Sequence, residues 1–339
     1  MIGRQKTATT ITSTSVLCLV GFLCILTIRI KYDVDRIKTF EEAANKNMLR
    51  LENITGPYRT IYLVSAFESQ VPSWLNRDHP KLKLIYHRDI WYNESYLPSF
   101  NSMNIEGSLH RIPNLSEYYV EINDDYMLLD YITANDFFGD NPKEPVLKLR
   151  YARNYVVPRE LFSVQDIDAH WVNSYVNAAA TTEKCCLQTA DIKGYRFCPC
   201  HTPAAMKKTV LKIAENDPMA FEAMDKAWQS HFRGPDNLSM KSFSHWYGQC
   251  KGLIRVELLD CTDEYRINHK RDAASSADVE NMKMTLLDLA AAVKNRTKKF
   301  LVVNDEAITD DETVYGRQVI QTINLFRNSM FPNKSSFEL

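Results

Sequence analysis

The chain has 339 residues, room for about two average domains, with 45% hydrophobic and 24% charged residues and a formal net charge of -1. That balance is globular, and with no basic stripe standing out it argues against nucleic acid as a partner. No internal repeat or low-complexity tract interrupts it, and an aromatic content of 11% fits a sizeable folded core.

Residues 7–28 carry no charge, and 16–28 (VLCLVGFLCILTI) are almost wholly apolar, enough with their flanks for one bilayer crossing at roughly 20 residues. A cleaved signal peptide is the alternative, because Arg4 and Lys6 resemble its basic start. No small-x-small site follows, however; Arg29-Ile30-Lys31-Tyr32 comes directly. The expectation is therefore a cytosolic tail at 1–10, a signal anchor at 11–30, and a charged stem at 31–57 with a helical stretch near 40–51. Arg29, Lys31, Arg36 and Lys38 beyond the segment leave the charge bias undecided. Residues 58–339 form the remaining, folded part.

In that part, 82–86 reads as a strand that runs into His87-Arg88-Asp89. The densest pattern lies at 97–125, LPSFNSMNIEGSLHRIPNLSEYYVEINDD. Ile105, Leu109 and Ile112 recur at helical spacing behind Asn101 or Ser102, which predicts a capped helix over 101–111 with Glu106, His110 and Arg111 near its end. Residues 118–122 are β-branched and aromatic, predicting a strand that runs into Asn123-Asp124-Asp125. Adjacent carboxylates there suit a divalent cation, which takes hard oxygen ligands and would neutralise a diphosphate. A third strand, 300–303, ends on Asn304-Asp305. Any one of these ends is simply a turn by residue preference. The three together predict a shared cleft at the carboxyl ends of an open α/β sheet.

Residues 132–157 read as loop and short strand. Asn-X-Ser/Thr occurs at Asn53, Asn93, Asn114, Asn237, Asn295 and Asn333, of which Asn114 is expected to be too enclosed for a glycan. Apart from Cys18 and Cys24 in the apolar segment, the cysteines are Cys185, Cys186, Cys198, Cys200, Cys250 and Cys261. Their even number favours disulfides of undetermined connectivity in a secretory lumen. Zinc held by Cys185 or Cys186 with Cys198, Cys200 and His201 ranks lower, because no CxxC is present.

Thr202-Pro203 before an amphipathic run predicts a helix over 202–216. His201 would then face a helix N-terminus, a place that favours bound anions and a neutral imidazole. A second helix over 219–232, with Phe221, Met224 and Trp228 at core spacing, delivers Arg233 to a Gly-Pro turn. Helices are predicted at 276–293, with Val279, Met282, Leu286, Leu289 and Val293 on one face, and at 316–330, stopped by Pro332.

An ordered series resembles the second conserved region of the Stealth family. It comprises Tyr58-Arg59-Thr60-Ile61-Tyr62-Leu63-Val64, Gln70-Val71-Pro72-Ser73-Trp74-Leu75, His87-Arg88-Asp89-Ile90, Leu97-Pro98-Ser99-Phe100-Asn101-Ser102, Ile105-Glu106, Leu109-His110-Arg111-Ile112 and Asn123-Asp124-Asp125. That family includes bacterial capsule polysaccharide hexose-1-phosphate transferases and the α/β precursor of the N-acetylglucosamine-1-phosphotransferase that acts on lysosomal enzymes. His201-Thr202-Pro203, Arg233 and Asp236 resemble its third region. The 300–305 stretch, the helix after it and Met330-Phe331-Pro332 with 336–339 resemble its fourth. The family's first region, a strand with a WVNG- or WVDG-like turn, has no counterpart at 32–57.

The resemblance implies an α/β fold with a Rossmann-like mixed or parallel sheet flanked by helices. The apolar segment, the sequons and the cysteines together predict a type II single-pass membrane protein of the Golgi or another secretory lumen. Its activity would be transfer of a sugar 1-phosphate from a nucleotide-sugar such as UDP-GlcNAc to a glycan hydroxyl. His201, Asp124, Asp125 and Arg233 would be catalytic, and Asn101, Glu106, His110, Arg111, Asn123 and Asn304 would bind substrate. Asp124, Asp125 and Asp305 would hold Mg²⁺ or Mn²⁺. Two alternatives stay open: a metal-dependent glycosyltransferase that moves no phosphate, and a non-catalytic lumenal glycan-binding protein. The oligomeric state, including a homo-oligomer, is also open.

Overall fold

The computed structural model describes residues 60–330 apart from 124, 131, 142, 164–169, 270–271 and 306–312. The expected anchor and stem lie outside the described residues. Among those described, no helix is long and apolar enough to cross a bilayer.

Strand β1 (Ile61–Ser65) pairs in parallel with β2 (Leu82–Tyr86), Ile61 opposite Leu82. Next comes a single turn, α1 (His87–Ile90), in which Asp89 Oδ2 accepts from the Tyr86 N–H at 2.8 Å. Asp89 is therefore a helix cap. Helix α2 (Ser102–Glu106) starts at Asn101, whose side chain accepts from the Met103 N–H. It is shorter than the predicted 101–111: it stops at Gly107, and a 3₁₀ turn takes over at Leu109–Arg111. Gly107 itself is required by packing, because a Cβ there would lie 2.4 Å from Met240 Cγ.

Strands β3 (Tyr118–Glu121) and β4 (Tyr126–Leu128) flank the Asn123–Asp125 stretch. After them come β5 (Leu147–Val156), α3 (His170–Cys185) and β6 (Phe197–Pro199). Residues 204–207 are a strand, β7 (Ala204–Lys207), and the helix predicted from 202 begins only at α4 (Lys208–Ala214). Ala-Ala-Met is a poor strand by propensity. Pairing overrides it: β7 runs antiparallel to β3, with Tyr118 opposite Lys207 and Glu121 opposite Ala204. The predicted 219–232 helix is α5 (Pro218–Gln229), capped by Asp217.

Helix α6 (Met240–Cys250) is buried from Met240 to Gly248 and forms the central post of the larger core, with Phe243, Trp246 and Tyr247 nearly inaccessible. Burial of each such side chain stabilises by roughly 1.5–3 kcal/mol. Strands β8 (Val256–Leu259) and β9 (Glu264–His269), helix α7 (Ser276–Lys294), β10 (Phe300–Asp305) and α8 (Val314–Met330) complete the order. Val279, Met282, Leu286 and Leu289 of α7 pack with Ile267, Leu301 and Val319 in a second core, as their helical spacing predicts.

The strands make four small sheets among the described residues: β1-β2, β3-β7, β4-β10-β9 and β6-β5-β8, with parallel and antiparallel pairs mixed. The class is α/β, but the single Rossmann-like sheet is absent from them. Strands β4 and β6 have 3 residues and β3, β7 and β8 have 4, too short to carry one ladder across the molecule. Disulfides join Cys186 to Cys250 and Cys200 to Cys261, while Cys185 and Cys198 are free thiols.

Candidate active site

The β3-β7 pairing builds the centre. Because Glu121 lies opposite Ala204, the residues just past β3 run beside those just before β7. His201 Nε2 consequently comes within 3.1 Å of Asp125 Oδ2. The third strand end joins here too, since the Val303 N–H of β10 donates to Asp125 O at 3.1 Å. Two of the three polar strand ends thus converge, while the His87-Arg88-Asp89 end is used to shape α1.

The pair is electrostatically specific. Burial pushes the Asp125 carboxyl up to about 6. Burial, with the charges of Lys241, Arg266 and Arg233, pushes the His201 imidazole down to about 3. At neutral pH Asp125 is ionised and His201 neutral; a proton on Nε2 would face the carboxylate and leave Nδ1 as the basic nitrogen. The Tyr126 ring meets the imidazole edge-on at 4.9 Å between centroids. No helix N-terminus lies at His201, contrary to the dipole prediction. The later helix start, at Lys208, removes that effect, and burial beside three cations keeps the ring neutral instead.

Behind the pair lies a buried ion pair: Lys241 Nζ, from the first turn of α6, sits 3.1 Å from Glu121 Oε1. Burial raises the Glu121 carboxyl. Burial alone would lower the Lys241 ammonium, but Glu121, Tyr126 and Glu106 outweigh it and hold it charged. Neither residue stood out in the sequence. The available signal was Glu121 itself, a charge inside an otherwise apolar strand.

Glu106, at the end of α2, is buried and accepts from Asn123 Nδ2 at 3.5 Å, so both join the centre. At the start of the same helix Asn101 Nδ2 donates to Asn237 Oδ1, and Ser102 Oγ accepts from Arg233 Nη2 at 2.9 Å. His110 and Arg111 go elsewhere. Both contact Glu215 at 2.5 Å, and the Arg111 guanidinium lies 4.5 Å from the Trp228 ring and 5.1 Å from Tyr92. That arrangement is a structural clamp. Asn304 Nδ2 donates to Asn268 Oδ1 across the β10-β9 pair. Asp305 ends β10 opposite His269, and its side chain, like the whole of Asp124, lies outside the described residues.

For a divalent cation the donor set fits. Asp125 Oδ1 and Asn123 Oδ1 are buried and meet no hydrogen-bond partner, and both are hard oxygens. The zinc alternative does not fit. Cys200, Cys261 and Glu264 are the described ligand atoms that cluster, and the first two are joined as a disulfide. Among the sequons, Asn237 is wholly buried, which closes it to glycans, whereas Asn114 is exposed, contrary to expectation.

Comparison with known proteins supplies the relationships. The family pattern described as Stealth protein CR2, conserved region 2, matches residues 41–145, starting within the stretch read as stem. The chain is 43% identical over 112 residues to an exopolysaccharide phosphotransferase of Streptomyces coelicolor, covering 30% of this chain and 18% of that one. It is 27% identical over 300 residues to the capsular polysaccharide phosphotransferase SacB of Neisseria meningitidis serogroup A, covering 86% and 49%. Over 88 residues it is 39% identical to the mouse N-acetylglucosamine-1-phosphotransferase subunits alpha/beta, covering 26% and 7%. The chain thus spans at most about half the length of these curated relatives. Residues 41–145 thus match conserved region 2 of the Stealth proteins, and the chain is similar to capsular, exopolysaccharide and N-acetylglucosamine phosphotransferases.

Proposed function

We propose that the protein transfers a sugar 1-phosphate from a nucleotide-sugar to a glycan hydroxyl, leaving a phosphodiester. The observation that carries this is the His201–Asp125 contact, which sets a neutral imidazole 3.1 Å from a partly buried carboxylate. The acceptor oxygen attacks the sugar-bearing phosphorus, the bond from that phosphorus to the bridging oxygen breaks, and the nucleoside monophosphate leaves. His201 Nδ1 takes the acceptor proton, and Asp125 holds the ring through Nε2–H. The negative charge of a docked diphosphate raises the imidazole back toward its ordinary range, so basicity develops with substrate in place.

Arg233, exposed and always charged, binds phosphate oxygens. Glu106 and Asn123 orient the donor. Asp125 and Asn123, with Asp124 and Asp305, would hold Mg²⁺ or Mn²⁺, which when bound neutralises the diphosphate. UDP-GlcNAc or a similar nucleotide-sugar is the donor and a polysaccharide or glycoprotein glycan the acceptor. The two disulfides support an oxidising compartment, and with the apolar 11–30 stretch they favour a membrane-anchored lumenal enzyme.

The test is transfer to mixed glycan acceptors by the full chain with Mn²⁺ and a panel of nucleotide-sugars, comparing the wild type with His201→Ala and Asp125→Ala. Loss of at least about a hundredfold in both variants, with unchanged secretion, is the predicted outcome. Retained activity in either variant removes the roles assigned here.

A further inference from the structure

Arg233 leaves an exposed loop after α5, a poor mount for a side chain that must meet phosphate at fixed geometry. That loop is nevertheless tied along its length to residues 98–102. The Phe100 N–H donates to His231 O at 2.7 Å, and His231 Nδ1–H donates to Pro98 O. The Phe100 and Phe232 rings stack at 5.1 Å. Asn237, with no exposed surface, is the knot. Its Oδ1 accepts both from Asn101 Nδ2 at 2.8 Å and from the Gly234 N–H at 3.0 Å, while its carbonyl accepts from Asn177 Nδ2 at 2.7 Å. Its Nδ2 is buried with no partner, so this amide is held through its oxygen. As a sequon, Asn237-Leu238-Ser239 has no use in a folded protein; as a junction it has one.

We infer that Asn237 is the positioning residue for Arg233. Its side-chain oxygen closes the 234–237 turn and locks it to Asn101, the cap of α2. The guanidinium then emerges beside Ser102, on the same short helix that presents Glu106 to Asn123. This rests on the phosphate-binding role proposed above for Arg233. Ser239, whose N–H donates to Ser174 O at 2.9 Å, fixes the far end of the loop against α3, so the Asn237 turn is the adjustable part between two anchored ends.

The test is a double-mutant cycle on the full chain, read as UDP affinity by calorimetry in Mn²⁺, with thermal melts to confirm folding. Arg233→Ala weakens UDP at least tenfold. Asn237→Ala weakens it about tenfold, and adding it to Arg233→Ala weakens binding no further, because Asn237 acts only through that side chain. Asn237→Asp keeps the accepting oxygen and retains UDP within about threefold; if the alanine variant fails to fold, Asn237→Leu, which lacks that oxygen at similar volume, takes its place with the same expected loss. A hundredfold loss in the double variant, wild-type binding by Asn237→Ala, or an Asn237→Asp loss equal to that of alanine overturns the inference while leaving the proposed function standing. Wild-type protein that binds no UDP, or Arg233→Ala that binds it normally, overturns the Arg233 role and the inference with it.

Discussion

Asp125 illustrates how one residue trades stability for a site. An acid moved from 3.8 to about 6 by burial costs the fold up to roughly 3 kcal/mol at neutral pH. Asp125→Asn is therefore predicted to abolish transfer and at the same time to raise unfolding free energy by about 1–2 kcal/mol, measured by urea denaturation at pH 7. A destabilised variant would show that the carboxylate is a net structural asset. Arg111 is the opposite case. Held by Glu215, Trp228 and Tyr92, it is a structural residue despite lying between Glu106 and the acidic strand end in sequence. Arg111→Met is predicted to cost about 2–4 kcal/mol of stability and to leave UDP affinity of the folded fraction within twofold. A large affinity loss at unchanged stability would return it to the phosphate site.

At the scale of elements, the β3-β7 pair and α6 decide the geometry. Lys241 and Glu121 form a buried ion pair at the end of β3, so removing one partner leaves an uncompensated charge. Lys241→Met is predicted to cost about 3–5 kcal/mol, and the Lys241→Met, Glu121→Leu double variant to recover most of it, as read by denaturant midpoints. Elements were legible where local pattern and tertiary role agreed: β2 and α7, and β10 with its acidic end, have the positions their periodicity and strand chemistry imply. The 202–216 stretch was misread because Thr-Pro is a strong local helix start, while the partner that makes 204–207 a strand lies more than eighty residues away. The helix at 101–111 was overextended because its apolar spacing runs on past Gly107, where the backbone changes to a 3₁₀ turn. The His201–Asp125 meeting is a register effect, and register between distant strands is not written in either strand alone. Asp125 and His201 could be named from the resemblance, but Lys241, Tyr126 and Asn237 needed the fold.

For the whole molecule, acid sensitivity follows from histidines buried neutral. Burial lowers His87 and His245 to about 4, and His245 is held neutral with Nε2 on Ala205 O and Nδ1 near the Tyr151 hydroxyl. A lowered histidine leaves the unfolded chain binding more protons below about 6.5, so the associated stability is intact above that pH and drains as pH falls toward 4. His201 acts in the same direction, whereas Asp125, raised, gains stability as pH falls from about 6 toward 4. Glu121 and Glu264, also raised, act with Asp125, while His110 is lowered like the other histidines; four lowered histidines outweigh three raised acids, and the melting temperature is predicted to fall between pH 6.5 and pH 4. His87→Phe, which removes two buried ring nitrogens without partners, should flatten the slope and gain about 2 kcal/mol at pH 5. An unchanged slope would place the sensitivity elsewhere. Reduction adds a second route to unfolding, because the bridges close sequence separations of 64 and 61 residues. Each is predicted to stabilise by about 2–4 kcal/mol, seen as a lower denaturant midpoint under dithiothreitol.

In the proposed reaction phosphorus travels with the sugar while His201 takes the acceptor proton. The direct measurement is the fate of label from a nucleotide-sugar carrying ³²P at the β position, with Mn²⁺, glycan acceptor and the full chain. Label in the glycan and unlabelled nucleoside monophosphate as leaving group, with both lost in His201→Ala, are the expected results. Glycan that gains sugar while the label stays on the nucleotide, or label transferred undiminished by His201→Ala, would contradict that reaction.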